Sequence, residues 1–86
     1  MSIKCTEDLP IYLCHKEVRA AKIVEIFEDG GCLRCEVDGA VVTLEMHPQY
    51  FARQRPRLGG YLVRYEDGYE SYSPPEAFEN GYTRKP

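Results

Sequence analysis

The sequence predicts a mainly β fold: a small five-stranded antiparallel meander, closed into an SH3-like barrel or left as a bent sheet, with one or two short helical turns. Three observations carry this expectation. Residues 20–27 are β-branched and alternate in polarity, and two later segments each fold back on an Asp-Gly dipeptide, at Asp38-Gly39 and Asp67-Gly68. The chain is 86 residues long, which suits a single domain. Its expected parts are an N-terminal arm over 1–16, a β core over 17–83 and a tail over 84–86.

The elements follow in order. Ala20-Ala21-Lys22-Ile23-Val24-Glu25-Ile26-Phe27 reads as the first strand, and Glu28-Asp29-Gly30-Gly31 ends it with turn residues. Asp38-Gly39 fits a type I′ turn, because both positions tolerate positive φ. Pairing outward sets Val37 opposite Ala40, Cys35 opposite Val42 and Leu33 opposite Leu44. These six are apolar and share a face, while Arg34, Glu36, Val41 and Thr43 form the other. His47-Pro48-Gln49-Tyr50-Phe51-Ala52 predicts a helical turn with Pro48 at its first position, and Arg53 to Arg57 an extended loop.

The third hairpin, read as another two-residue turn, sets Val63 opposite Tyr72 and Arg64 opposite Ser71. Tyr61, Val63, Tyr65 and Tyr72 then share the core face, which leaves Tyr69 and Tyr82 as contact candidates. Ser73-Pro74-Pro75-Glu76 reads as a capping box opening a second short helix, with Asn80-Gly81 as its left-handed C-cap. Tyr82 to Pro86 reads as a strand stub or tail.

Composition narrows the function classes. No run approaches the ~18–20 apolar residues needed to cross a bilayer, so no membrane is expected. The N-terminal MSIKCTEDLPIYLC lacks the apolar stretch of a secretory leader, which makes a reducing cytoplasm the expected compartment. The net charge of −3 argues against general DNA binding. His15 and His47 stand without a Ser, Cys or Asp at an interpretable spacing, so no enzymatic constellation and no cofactor is expected. Cys5, Cys14, Cys32 and Cys35 form the alternative metal set. In an extended strand, however, Cys32 and Cys35 face opposite sides, and Cys35 fits better as a small core residue.

The charge pattern carries the binding expectation. Residues 46–65 contain no Asp or Glu but hold Arg53, Arg55, Arg57 and Arg64, interleaved with His47, Tyr50, Phe51, Tyr61 and Tyr65. Guanidinium groups bind phosphate in bidentate fashion and flat rings stack on bases. The ligand-binding candidates are therefore Arg53, Arg55, Arg57, Arg64, Tyr50 and Tyr69. The alternative is a solvated loop that balances acidic neighbours.

Gly59-Gly60-Tyr61-Leu62-Val63-Arg64-Tyr65-Glu66-Asp67-Gly68-Tyr69, followed by Ser73-Pro74-Pro75-Glu76-Ala77-Phe78-Glu79-Asn80-Gly81-Tyr82-Thr83, resembles a family of small, mostly uncharacterised bacteriophage proteins. These end in a Tyr-x-Asp-Gly-Tyr hairpin, then Ser-Pro-x-x-Ala-Phe and Gly-Tyr-Thr; Val18 to Ile23 is similar to their first strand. The resemblance implies a phage accessory protein in a bacterial host and transfers no catalytic residue. The leading expectation is a non-enzymatic counter-defence or host-takeover protein, a homo-oligomer that sequesters a nucleotide immune signal. Two alternatives stand beside it: an inhibitor that binds a host defence protein directly, and a Tudor- or SH3-like peptide-binding or structural module.

Overall fold

The computed structural model describes residues 2–3, 5–13 and 17–84. Its strands are β1 (Ser2–Ile3), β2 (Ile11–Leu13), β3 (Glu17–Phe27), β4 (Cys32–Val37), β5 (Ala40–Glu45), β6 (Tyr61–Arg64), β7 (Glu70–Ser73) and β8 (Thr83–Arg84). A 3-10 turn covers Thr6–Asp8, and two helices, α1 (Pro48–Gln54) and α2 (Pro75–Gly81), interrupt the strands. The fold is mainly β, with the sheet curled into an open half-barrel. The five expected strands are β3 to β7. The segment expected as an N-terminal arm adds β1, parallel to β5, and β2, antiparallel to β3; of the strand stub or tail expected from Tyr82 onward, Thr83–Arg84 form the strand, β8, which pairs with β2.

The long strand β3 organises the sheet. Arg19 faces both Ile11 and Arg64, and Lys22 faces both Glu36 and Tyr61. Strands β2 and β4 therefore follow one another along one edge of β3, and β6 takes the other. A register shift between Ile23 and Glu25 marks a bulge, which bends the strand where it leaves β6 and continues beside β4. Neighbouring residues on a strand point to opposite faces, and over the first half of β3 both faces are covered. Ala21 and Ile23 enter one core, with Leu9, Leu33, Cys35, Leu44, Phe51 and Leu62. Val18 and Ala20 enter a second, with Val63 and Phe78.

The β4–β5 hairpin has the predicted register. Val37 pairs with Ala40, Cys35 with Val42 and Leu33 with Leu44, and both turn residues have positive φ, 51° at Asp38 and 83° at Gly39. The β6–β7 hairpin differs by one residue. Leu62 pairs with Tyr72, Val63 with Ser71 and Arg64 with Glu70. The reason lies in the turn. Only Gly68 has positive φ (92°), while the Asp67 carboxylate accepts from Tyr69 N–H at 2.9 Å and holds Asp67 in an Asx turn. Gly68 N–H donates to the Tyr65 carbonyl and Tyr65 N–H to the Tyr69 carbonyl, so three residues form the loop. The slip reassigns the faces: Leu62 and Tyr72 turn to the first core, and Tyr61, Val63 and Tyr65 to the second.

Helix α1 begins with Pro48 at its first position as predicted; His47 is its N-cap, and the helix runs on through Arg53 and Gln54, where an extended loop was expected, to a left-handed C-cap at Arg55. Helix α2 corrects the expected capping box. Ser73 ends β7, Pro74 is the N-cap, and no side chain caps the helix. A residue that precedes proline is pushed out of the helical region, so Pro74 is extended (ψ 151°) and the helix starts only at Pro75. The expected left-handed C-cap at Gly81 is absent too, because the chain passes directly through extended Tyr82 (φ −130°) into β8.

Phe78 anchors α2 on the second core. Its ring stacks between Tyr61 (4.2 Å between centroids) and Tyr82 (4.6 Å), with Tyr12 at its edge (4.9 Å). The Tyr61 hydroxyl donates to Glu79 at 2.9 Å. Burial, then this hydrogen bond, push the Tyr61 phenol up to about 12. Gly60 admits the Tyr72 ring against its backbone, because a Cβ there would fall inside the ring's van der Waals surface.

Candidate functional site between helix α1 and the β6–β7 hairpin

Helix α1 lies beside β7 and is tied to its main chain. The Tyr50 hydroxyl donates to the Ser71 carbonyl at 2.9 Å, and the Gln54 side-chain oxygen accepts from Tyr72 N–H at 3.2 Å. Positions 50 and 54 are one helical turn apart, so both side chains leave the same face of α1. Between helix and hairpin opens a cleft of about 300 Å³, whose polar lining is His47, Gln49, Arg53, Gln54, Tyr69 and Glu70.

Two of the sequence-derived candidates, Arg53 and Tyr69, meet in this cleft. Arg53 donates to the Gln49 side-chain oxygen at 3.0 Å, an i,i+4 pair along the helix. Tyr69 is 48% exposed, accepts from Gln54 Nε2 at 2.8 Å, and has the Tyr65 ring 6.3 Å away at an interplanar angle of 27°. Tyr50 also borders the cleft, but its ring is buried at 5% exposure, edge-on to Phe51. It is a core residue, and burial raises its phenol beyond the usual range.

Arg55 and Arg57 lie outside the cleft on the loop after α1. Arg55 is the left-handed C-cap (φ 46°), both are exposed, and neither has a carboxylate within ion-pair distance among the described residues. Arg64 is placed elsewhere altogether. Its guanidinium donates to the Thr6 hydroxyl at 2.8 Å and lies 3.8 Å from Glu70 and 4.0 Å from Glu7. The acid-free stretch around it is a property of sequence only, since Glu7 and Glu70 reach Arg64 from outside residues 46–65.

Gln49, Gln54 and Glu70 are the site residues that sequence reasoning passed over. An amide carries no charge signature, although the spacing of Gln49 and Arg53 on a helix starting at Pro48 marks a surface pair. His47 is exposed, and its Nδ1 accepts from Gln49 N–H at 3.1 Å as the helix cap.

Among the described residues the cysteines do not converge on one site. Cys35 is buried in the first core, where desolvation pushes its thiol up to about 12. Cys32 starts β4 and lies 3.4 Å from the Gly30 carbonyl, Cys5 is exposed, and Cys14 and His15 fall outside the described residues. Among the described residues no group of three or more His, Cys, Asp or Glu side chains is arranged to hold a metal ion. Among the described residues no helix is long and apolar enough to cross a membrane.

Two of the other surface hollows hold arginine side chains. One of about 440 Å³ lies over the cross-strand pair Arg19 and Arg64, with Glu7, Asp8, Glu17 and Glu66 around it. The other lies on the outer face of β3 and β4, where Arg34 sits 5.0 Å from the half-exposed Phe27 ring and pairs with Glu25 at 2.9 Å. In comparison with known proteins, the chain matches no family model, no curated protein and no solved structure.

Proposed function

We propose that this chain is a non-enzymatic accessory binding protein that serves counter-defence, in keeping with the small, mostly uncharacterised phage proteins that its C-terminal third resembles, and that it captures a nucleotide at the cleft between α1 and the β6–β7 hairpin. It acts as a homo-oligomer. The observation that supports this reading is the meeting of Arg53 and Tyr69 in one cleft. A nucleotide offers a flat ring and a polyanion; an exposed phenol takes the first and a guanidinium the second. Arg55 and Arg57 add two exposed cations close by in sequence, which suits a ligand with more than one phosphate.

The test is a thermal-shift panel of mononucleotides, cyclic dinucleotides and cyclic trinucleotides, with native mass spectrometry on the same samples. The expected result is a rise of several degrees with at least one cyclic oligonucleotide, and a complex mass equal to an oligomer plus that ligand. Arg53→Ala and Tyr69→Ala each abolish the rise. A flat response across the panel overturns the reading.

A further inference from the structure

We infer that two copies of this chain pair about a two-fold axis, each seating its Arg55–Leu58 loop in a hollow on the outer face of the other's β3 and β4. The pairing rests on the homo-oligomer proposed above and deepens it by naming the surface that forms it.

The hollow has an apolar floor and an acidic rim. Its volume is about 890 Å³, and Ile26, Phe27 and Cys32 line it beside Arg34 and Thr43. Phe27 is a large apolar side chain left 41% exposed. Arg34 lies over its ring at 5.0 Å and is already paired with Glu25 at 2.9 Å, so it brings no net charge to the floor. Glu28 and Asp29 stand on the rim, and Glu45 lines the adjoining hollow, which shares Cys32. None of these three carboxylates has a cation within ion-pair distance among the described residues.

The loop after α1 carries the complement. Leu58 is 64% exposed, and exposed Arg55 and Arg57 precede it with no carboxylate in ion-pair reach among the described residues. The loop does not fill the hollow of its own chain. Gly59 N–H donates to the Ile23 carbonyl at 2.9 Å and Ile23 N–H to the Gly60 carbonyl at 2.8 Å, which fixes the end of the loop against β3 at residue 23. Phe27 lies four residues further along the strand, about 13 Å away. An apolar side chain flanked by cations thus sits beside an apolar floor rimmed by anions, and both are open to solvent. A second copy turned by 180° satisfies both at once: each loop meets the other's hollow, and the same contact is made twice. The charges orient the two copies, and Leu58 against Phe27 holds them.

The test uses the full chain. Sedimentation velocity over a dilution series is expected to show a monomer–dimer equilibrium that weakens as salt is raised. Isotope-filtered NMR on mixed labelled and unlabelled wild-type chains is expected to show nuclear Overhauser effects from the Leu58 methyls to the Phe27 ring. Residues this far apart in one chain give such effects only between copies. Phe27→Lys and Leu58→Glu each set like charges against one another and raise the dissociation constant about tenfold or more. Mixing the two variants brings the substituted positions together with opposite charges, beside one unaltered contact, and restores the dimer. A monomer at every concentration overturns the inference. So does an oligomer that keeps its affinity in both variants, or one whose filtered contacts lie only elsewhere. A monomer whose melting temperature still rises with a cyclic oligonucleotide overturns the dimer and leaves nucleotide capture standing. A dimer with these contacts and no response to any nucleotide supports the pairing and overturns the capture.

Discussion

Arg64 on β6 donates to the hydroxyl of Thr6 at 2.8 Å, across 58 residues of sequence. Thr6 in turn donates to Glu70 on β7, so a single hydroxyl, only 5% exposed as a residue, is donor and acceptor at once. Glu7 adds a weaker contact at 4.0 Å. This network fastens the 3-10 turn, and with it the approach to β2, onto the β6–β7 hairpin.

Thr6→Val keeps the shape of the side chain and leaves Arg64 and Glu70 without their shared partner. It is expected to lower stability by about 1–3 kcal/mol, read from urea unfolding with an unchanged m-value. Arg64→Ala costs a similar amount. Because both changes break one network, the double variant loses less than the sum, and strictly additive losses would show that the two side chains act independently. Arg53→Ala, by contrast, removes only an exposed i,i+4 contact on α1 and is expected to leave stability unchanged within about 0.5 kcal/mol.

Phe78→Ala removes the ring that Tyr61, Tyr82 and Tyr12 enclose. A fully buried Phe truncated in this way costs about 3–5 kcal/mol. Since Phe78 is the one buried residue of α2, hydrogen exchange is expected to show α2 and β8 opening before β3 to β5 do. Uniform loss of protection across the sheet would mean that the second core does not act as a local unit.

How much of this was legible depends on how local each decision is. Asp38-Gly39 and Asp67-Gly68 are the same dipeptide, yet only the first makes a two-residue turn. Tyr69 N–H on Asp67 and the placement of Leu62, rather than Tyr61, in the first core settle the second, and the latter is a tertiary demand. The start of α2 was within reach of local rules, since a proline before a proline must be extended. The site was half visible: Arg53 and Tyr69 carry charge and ring. Arg64 and Tyr50 are diverted by partners 58 and 21 residues away that no local pattern announces. Gln49 and Gln54 act through hydrogen bonds to Arg53, to Tyr69 and to the Tyr72 main chain, partners that an uncharged amide does not announce.

Gly60→Ala tests the close approach of the Tyr72 ring. The new methyl collides with the ring, which is itself packed against the first core. The expected loss is about 1–3 kcal/mol, as for other over-packed sites. Tyr72→Leu in the Gly60→Ala background should recover part of it. No recovery would assign the loss to backbone effects at residue 60 instead.

The last prediction concerns alkaline pH. The Cys35 thiol is raised from 9.0 to about 12 by burial, Tyr61 is raised from 10.0 to about 12, and Tyr50 moves the same way. Each group is held in its neutral form by the fold, and the unfolded chain ionises first. Their contribution is therefore complete below about pH 9 and is lost as pH rises from 9 toward 12. Stability is expected to be level between pH 7 and 9 and then to fall, by at most about 1.4 kcal/mol per pH unit for each group titrating in the unfolded state only. Cys35→Ala lowers the plateau but flattens the fall between pH 9 and 10, where Cys35 is the first to act. Peptide mapping after iodoacetamide at pH 8 gives an independent reading: exposed Cys5 is alkylated and Cys35 is not. Rapid labelling of Cys35 in the folded protein, or a fall that begins well below pH 9, would contradict this account of the core.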